Sequence, residues 1–217
     1  MLFQFPSRHE VLSWAIVGGG RTRASCVAWY QVGAGELRPP VDPQEFLQRK
    51  LREAGVSDAV GFLTSRDLDA CVDCERRDGG YWARSIATVG LSNSLRVGDP
   101  CLQASGIRGK IGTINLLCQV SHPLTEEAFL EAMAIAVEAR TTAILDAAVP
   151  SSITKEAATG TGTDCVVMAA PPPGGEMNSG PERYAGKHTL LGHLIGGVVL
   201  DAISRGAREW QSQDLKL

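Results

Sequence analysis

The segment between two predicted strands limits the fold of this chain more than any other feature. The strands are Tyr81–Val89 and residues 110–120, and both are rich in apolar residues. The segment that joins them has too little helix for the crossover that connects parallel neighbours. We therefore expect an α/β layered sandwich, with a mixed, largely antiparallel sheet flanked by helices.

Three helices are expected beside this sheet. Asp42 and Thr125 are residue types that cap helix N-termini, and they begin helices predicted at residues 42–54 and 125–148. Residues 187–205 have the composition of a closing helix with several glycines. Further strands are predicted at residues 12–17, 26–32, 60–64 and 164–170.

Length and composition are those of one globular domain. The chain has 217 residues, 44% hydrophobic and 21% charged, with no linker or internal repeat, so we expect one domain over residues 1–217. A net charge of −3 without a Lys/Arg block argues against a nucleic-acid partner. The apolar stretches are too short for a membrane span, and no signal sequence is recognisable. These features predict a cytoplasmic protein whose six cysteines are reduced.

Metal and redox sites are poorly supported by the sequence. Cys71 and Cys74 form a lone CxxC, and a zinc site needs two more ligands at suitable spacing, so we interpret them as incidental. His188 and His193 are five residues apart, whereas a spacing of four places two imidazoles on one helix face. His9 is expected to be exposed. The sequence thus predicts no metal site and no cofactor.

Four polar segments stand at the ends of predicted strands. They are residues 92–94 (Ser-Asn-Ser), 112–115 (Gly-Thr-Ile-Asn), 161–164 (Thr-Gly-Thr-Asp) and 187–189 (Lys-His-Thr). If they converge on one pocket, they supply a carboxylate, an ammonium group, an imidazole, and amide or hydroxyl donors for an oxyanion. That inventory fits acyl transfer or amide hydrolysis better than redox or phosphoryl chemistry.

These segments resemble the adenosylcobinamide amidohydrolase family, the corrinoid-salvage enzymes often called CbiZ. The resemblance extends over most of the chain and is carried by ordered blocks at residues 89–99, 112–115, 138–141 with 161–164, and 184–192. It implies hydrolysis of the amide that joins a propionyl side chain of the corrin ring to aminopropanol. The product would be adenosylcobyric acid, and the corrinoid would be the substrate rather than a cofactor.

We predict four catalytic residues within these blocks. Asp164 is the candidate base or water-orienting carboxylate, and His188 would protonate the leaving amine. Lys187 would stabilise the oxyanion or lower the pKa of a partner. Asn93 and Asn115 would bind the substrate carbonyl or the amides at the ring periphery. Further substrate contacts are predicted for Gly19, Gly20, Ser92, Thr113, Thr161 and Thr163. The nucleophile is water or a side chain such as Ser92 or Thr163.

Simpler interpretations stay open for three of these residues. His188 would be a helix N-terminal residue, Asn93 a left-handed turn residue, and Asp164 the cap of a turn. For the whole protein, the alternatives are a non-catalytic corrinoid-binding module, and an amidohydrolase or acyltransferase acting on another amide. The glycine-containing last helix would also suit packing against a second subunit, so a homo-oligomer is a further expectation.

Overall fold

The structure is a computed structural model that describes residues 1–101, 112–174 and 180–214. Its strands are β1 (Leu2–Ser13), β2 (Gly20–Gln31), β3 (Val60–Thr64), β4 (Val72–Asp78), β5 (Tyr81–Val89), β6 (Ser94–Leu95), β7 (Ile114–Val120), β8 (Gly160–Thr161) and β9 (Cys165–Ala170). Its helices are α1 (Pro43–Glu53), α2 (Glu126–Asp146) and α3 (Leu190–Asp214). The strand predicted at residues 110–120 begins at Ile114, and residues 110–111 lie outside the described ranges.

Seven strands form one mixed sheet in the order β3-β2-β1-β9-β7-β5-β4. The pairs β1–β2, β1–β9, β4–β5 and β5–β7 are antiparallel, and β2–β3 and β7–β9 are parallel. Val89 lies opposite Ile114, which confirms the antiparallel register expected from the short joining segment. Each parallel pair is connected through a helix, α1 or α2, as a crossover requires.

The sheet folds back on itself, so that β3 lies against β7. The side-chain amide of Asn115 donates a hydrogen bond to the carbonyl of Leu63 at 2.8 Å. The register of β1 shifts between Gln4 and His9, and such an irregularity bends a strand. Side chains from both halves of the sheet form a second core between them: Phe5, Val11, Ala24, Val27, Trp29, Phe62, Ile86, Leu117, Val167 and Ala169.

The helices cover the outer faces of this folded sheet. Phe129 of α2, and Ile195 and Ile203 of α3, are fully buried in the main core with β5, β7 and β9. Helix α1 packs on β2 and β3, where Gly61 leaves room for Leu47: a Cβ atom at Gly61 would lie 2.9 Å from Leu47 Cδ2. Full burial of one such apolar side chain contributes about 1.5–3 kcal/mol. The layers confirm the expected α/β fold.

Both predicted helix caps are confirmed. Asp42 Oδ1 accepts a hydrogen bond from the Glu45 N–H at 2.8 Å, and Thr125 Oγ1 accepts one from the Ala128 N–H at 3.3 Å. The last helix begins and ends later than predicted, spanning Leu190–Asp214.

Strand β1 and one histidine differ from the sequence predictions. β1 ends at Ser13, just after the start of the strand predicted at residues 12–17, because Pro6 and the charged residues near it hide the apolar alternation. The residues around Cys71 and Cys74 have the composition of a solvated turn or hairpin, and the structure forms the hairpin: β4 pairs antiparallel with β5 and is the last strand of the sheet. The prediction that His9 is exposed is wrong, since His9 is buried and its Nε2 lies 2.9 Å from Gln119 Nε2.

Helix α3 is, among the described helices, the one long and apolar enough to cross a membrane by length and composition. Its apolar side chains, including Leu194, Val198 and Ile203, are buried in the main core against the sheet. A core helix meets the same criteria as a membrane span, so α3 gives no support for a membrane partner.

Candidate active site

The ends of four strands meet at one edge of the sheet. β5 ends there at Val89 and β1 at Ser13, whereas β7 begins at Ile114 and β9 at Cys165. The register places these ends side by side, because β7 and β9 run opposite to β5 and β1. Three of the four polar segments therefore lie together. We call residues 92–94, 112–115 and 161–164 the site edge.

Asp164 is the central hydrogen-bond acceptor of the site edge. Its Oδ1 accepts from the Thr161 hydroxyl and from the Ile114 N–H, with an N–O distance of 3.2 Å. Its Oδ2 accepts from the Thr161 N–H at 3.0 Å and from Arg140 Nη1 at 2.9 Å. A carboxylate offers about four acceptor positions, so these four donors occupy them.

The Arg140–Asp164 ion pair is buried between α2 and the start of β9. The two side chains are 12% and 6% exposed. Burial raises the pKa of the Asp164 carboxyl above its ordinary value, while the Arg140 cation and the hydrogen bonds from Thr161 and Ile114 act to lower it. Gly160 is required beside this pair, because a Cβ atom there would collide with Asp164 Oδ2.

Thr113 and Thr163 join two loops of the site edge. Thr113 Oγ1 donates to the Thr163 carbonyl at 2.8 Å, and Thr163 Oγ1 donates to the Gly112 carbonyl at 3.1 Å. The Asn93 side chain lies between these loops, with Oδ1 beside Gly112 and Nδ2 beside Gly162. Asn93 Oδ1 is buried and accepts no hydrogen bond from the described residues. Such an orphaned acceptor is uncommon in proteins and marks Asn93 as a candidate ligand contact.

Some of the other residues predicted to contact substrate use their polar groups in hydrogen bonds within the protein. The Thr161 hydroxyl donates to Asp164, and the Asn115 amide donates to the carbonyl of Leu63. Both polar groups therefore hold the protein together. Ser92 is half-buried beside Asn93, and its hydroxyl makes no described hydrogen bond.

Asp99 orders the segment that follows Asn93. Its carboxylate accepts hydrogen bonds from the Arg96 N–H at 2.7 Å, Ser151 Oγ at 2.5 Å and Thr154 Oγ1 at 2.8 Å. The Ser151 hydroxyl and the other donors lower the pKa of Asp99. The short β6–β8 pair lies next to this loop and connects it to residues 160–161. The polar residues after Asn93 thus have a structural explanation.

The β1–β2 turn brings Gly19 and Gly20 toward the site edge. A Cβ atom at Gly19 would lie 2.6 Å from the Ala15 carbonyl oxygen, so the turn requires glycine there, and Gly20 has a φ of +88°. Trp14 begins this turn, and its Nε1 donates to the Asp164 carbonyl at 2.6 Å. Trp14 is 44% exposed.

The fourth polar segment lies apart from the site edge. Lys187 Nζ forms an ion pair with Glu138 of α2. Glu138 and Arg140 are two residues apart, which is about 200° around a helix, so Lys187 and Asp164 lie on different sides of α2. His188 is exposed, and no described hydrogen bond or ion pair joins it to Asp164. The structure does not bring these three predicted catalytic residues together.

Packing at the start of α3 explains much of the block at residues 184–192. Thr189 Oγ1 accepts from the Gly192 N–H at 2.9 Å and donates to the Gly186 carbonyl at 2.8 Å, which caps the helix. A Cβ atom at Gly192 would collide with the carbonyl oxygens of Ala185 and Gly186. Close approach of the chain to the helix therefore requires glycine at this position.

A groove of about 450 Å³ lies between α2 and α3. Lys187, Glu138 and His193 line it, and the ion pair of Arg76 with Asp201, with nitrogen–oxygen distances of 2.7 and 3.0 Å, borders it. No residue of the site edge lines this groove. Among the described residues, this groove and the site edge therefore lie on different sides of α2.

The sequence of this chain is similar to that of a known protein family. The family model described as adenosylcobinamide amidohydrolase, CbiZ, matches residues 1–214. The chain belongs to the adenosylcobinamide amidohydrolase family. It is 28% identical over 198 residues to the adenosylcobinamide amidohydrolase of Methanosarcina mazei, covering 88% of this chain and 86% of that protein.

A solved structure shows a weaker likeness to this adenosylcobinamide amidohydrolase family member. The PH0078 protein from Pyrococcus horikoshii OT3 is 14% identical, with a TM-score of 0.33, over 64% of this chain and 38% of that one. The chain thus spans well under half the length of the PH0078 protein. A TM-score this low carries no conclusion about fold or function.

No group of three or more His, Cys, Asp or Glu side chains that could hold a metal ion is found in residues 1–101, 112–174 and 180–214 of this family member. Burial raises the pKa of Cys71 to about 11 and also raises that of Cys74. Both thiols are therefore protonated at neutral pH, whereas the thiolate is the form that binds metals and attacks electrophiles.

Two residues beside the site edge of this family member were missing from the predicted site. Arg140 carries a sequence signal, because it falls at helical spacing on the apolar face of α2 with Phe129, Met133 and Ile144. A cation at such a position needs a buried carboxylate partner. Trp14 carries no such signal, since 150 residues separate it from its partner Asp164.

Proposed function

We propose that the protein hydrolyses the amide between the corrin ring and the aminopropanol of adenosylcobinamide, giving adenosylcobyric acid in corrinoid salvage. One observation carries this proposal beyond family membership. Residues 92–94, 112–115 and 161–164, which belong to the blocks that resemble the family, meet at a single edge of the sheet. A shared surface built from such blocks is where a reaction common to the family would take place.

The proposed reaction consumes one water molecule. The water oxygen bonds to the carbonyl carbon of the propionyl side chain, the C–N bond breaks, and aminopropanol leaves after its nitrogen receives a proton. Negative charge develops on the carbonyl oxygen and requires hydrogen-bond donors. No atom changes oxidation state, so we propose a reaction without a redox cofactor, in which the corrinoid is the substrate.

We propose that Asn93 binds the substrate carbonyl through its Nδ2 donor, or an N–H of a peripheral amide of the ring through its Oδ1 acceptor. Its buried Oδ1 accepts no hydrogen bond from the described residues, and an N–H group of the ligand would satisfy it. Ser92 lies beside Asn93 and can donate its hydroxyl to the substrate. The hydroxyls of Thr113 and Thr163 already donate to backbone carbonyls, so they can offer the substrate only acceptor positions. For Asn115, Thr161, Gly19 and Gly20 we propose a supporting role beneath this surface.

We propose that Asp164 acts mainly by positioning the elements around it, and less by accepting a proton from water. A general base needs a free lone pair directed at the water, and the four donors to Asp164 occupy its acceptor positions. Its fixed carboxylate holds β7, β9 and α2 in one arrangement.

Lys187 and His188 stay candidates for oxyanion stabilisation and for protonation of the leaving amine. These roles require the substrate to reach the start of α3. If His188 is the acid, His188→Ala lowers kcat by about 100-fold or more. His193→Ala is the matched control, because His193 is an exposed histidine nearby on α3. If the kcat values of His188→Ala and Lys187→Met stay within about twofold of wild type, neither residue takes part in the mechanism.

The decisive experiment is incubation of purified, chelator-treated protein with adenosylcobinamide, followed by mass spectrometry for adenosylcobyric acid and aminopropanol. Both products without added metal support the proposed reaction and show that it needs no metal ion. Products that appear only after addition of a divalent cation would instead require a metal-assisted mechanism. Near-normal turnover by both Asp164→Asn and His188→Ala would move the active site away from these residues.

The alternative functions give different results in the same experiment. A visible-spectrum complex with cobinamide and no products indicates the non-catalytic corrinoid-binding module. Tight binding of cobinamide argues against an amidohydrolase or acyltransferase that uses another amide, and neither binding nor products leaves only the fold. We also propose that the protein is cytoplasmic and forms a homo-oligomer; cell fractionation and light scattering of the purified protein test these two points.

A further inference from the structure

We propose that Trp14 is the surface on which the conjugated macrocycle of the substrate stacks. The inference rests on the proposed function, since it concerns how the same site binds a corrinoid. Trp14 differs from the other three tryptophans of the chain: Trp29 is 2% exposed, Trp82 and Trp210 are half-buried, and Trp14 is 44% exposed. Its ring is therefore the indole most accessible to a ligand.

The indole of Trp14 is held in place although it is exposed. Its N–H donates to the Asp164 carbonyl at 2.6 Å, so its one polar atom is satisfied by the protein. The backbone on either side is also fixed, because Ser13 Oγ donates to the Val166 carbonyl at 2.9 Å and Cys165 Sγ lies 3.8 Å from the Trp14 carbonyl oxygen. A ring ordered before binding loses little conformational entropy when a ligand stacks on it.

The position of Trp14 suits a corrinoid in particular. The site edge offers hydroxyl, amide and carboxylate groups, and residues 92–94, 112–115 and 161–164 include no aromatic side chain. A corrinoid has a broad, flattened, conjugated ring with amide-bearing side chains at its rim, so it needs an apolar face next to polar groups. Trp14 supplies that face in direct contact with the backbone of Asp164.

Two substitutions at Trp14 separate stacking from the hydrogen bond. Trp14→Phe keeps an aromatic ring and loses the N–H donor to Asp164, whereas Trp14→Leu loses both. Trp82→Phe is the matched control, because Trp82 lies at the other end of β5, seven residues from Val89, or about 23 Å along the strand. KM and kcat for adenosylcobinamide are measured for the four proteins, together with their thermal midpoints.

If Trp14 stacks on the macrocycle, Trp14→Leu raises KM about tenfold or more with a smaller change in kcat, since aromatic stacking contributes on the order of one factor of ten in affinity. The KM values of Trp14→Phe and Trp82→Phe then stay within about threefold of the wild-type KM. An unchanged KM in Trp14→Leu overturns the inference. An equal rise in Trp14→Phe and Trp14→Leu also overturns it, because the hydrogen bond rather than the ring would then matter.

A second measurement uses the wild-type protein and so does not depend on folding of a variant. Oxidation of tryptophan by N-bromosuccinimide is followed by peptide mass spectrometry with and without excess adenosylcobinamide. Protection of Trp14 but not of Trp82 supports the inference, and oxidation of Trp14 at the same rate in both samples overturns it. If the wild-type protein cleaves adenosylcobinamide and Trp14 is not protected, the stacking inference is wrong and the proposed function stands. If the protein neither binds nor cleaves adenosylcobinamide, the proposed function is wrong as well.

Discussion

Arg140 of α2 and Asp164 at the start of β9 lie 2.9 Å apart, from Nη1 to Oδ2, and are shielded from solvent. Asp164 also accepts hydrogen bonds from its own loop and from Ile114 of β7. One carboxylate therefore connects a helix, two strands and a loop of the site edge. The arrangement of the whole edge depends on this ion pair.

Loss of the Arg140 cation should destabilise the protein strongly. Arg140→Met leaves the buried Asp164 carboxylate uncompensated, and we expect the free energy of unfolding, measured with urea, to fall by about 3–5 kcal/mol. Arg205→Met is the control, because Arg205 pairs with Glu209 on the surface of α3, where such pairs contribute about 0.3–0.5 kcal/mol. Equal losses in the two variants would show that the buried pair has no special importance.

Asn93 should matter for turnover more than for stability. Its Oδ1 has no donor among the described residues, so Asn93→Ala should change the free energy of unfolding by less than about 1 kcal/mol while lowering kcat/KM by about tenfold, the effect of losing one hydrogen bond to the ligand. Asn115→Ala is the comparison, since loss of the hydrogen bond to Leu63 should cost about 1–3 kcal/mol. Full activity of Asn93→Ala would remove Asn93 from the site.

Two glycines of α3 should respond in opposite directions to alanine. Gly192→Ala places a Cβ atom against two backbone carbonyls, and we expect a loss of about 2–3 kcal/mol in thermal or urea unfolding. Gly196→Ala places its Cβ atom 3.6 Å from Ile135 Cγ2, an ordinary contact, so the better helix propensity of alanine should raise stability by up to about 1 kcal/mol. Equal effects would contradict the described packing of α3.

Stability should fall as the pH drops below about 6.5, because buried histidines are neutral in the folded protein. Burial lowers the pKa of His9, against a smaller opposite effect of the Ser7 carbonyl, and burial also lowers the pKa of His122. The unfolded chain therefore binds more protons between the ordinary histidine pKa and the lowered values. Stability is complete above that window and is lost as the pH falls through it, by about 1.4 kcal/mol for each unit of pKa depression.

Substitution at His9 tests this pH dependence. His9→Phe should reduce the difference in unfolding free energy between pH 7.5 and pH 5, on either side of the ordinary histidine pKa of about 6.5. Phe5→Leu serves as control, because Phe5 stacks on His9 with centroids 4.5 Å apart but does not titrate. It should lower stability by a similar amount at both pH values. An unchanged pH dependence in His9→Phe would assign the effect to other groups.

Local signals in the sequence predicted the helices and most strands. The helix caps at Asp42 and Thr125 depend on hydrogen bonds from side chain to backbone within three residues. The residue types alone are therefore enough to predict them. The way the sheet folds back on itself could not be predicted from such local signals. It depends on a bend in β1 near Pro6 and on the contact of Asn115 with Leu63, 52 residues apart.

The predicted site shows the same limit. The segments at strand ends do meet, since antiparallel and parallel registers bring those ends to one edge. Lys187 was grouped with Asp164 because both belong to polar blocks. The structure pairs Lys187 with Glu138, and the turn of α2 between Glu138 and Arg140 separates the two groups. Sequence proximity does not reveal which side of a helix a neighbour will occupy.

The contact between Trp14 and Asp164 also has a consequence for synthesis of the chain. Trp14 is synthesised 150 residues before its partner Asp164. During that interval β1 lacks β9, its neighbour in the sheet, and the exposed indole has no anchor. The nascent chain therefore carries an unpaired strand edge until β9 has been made, and an unpaired edge can pair with other chains.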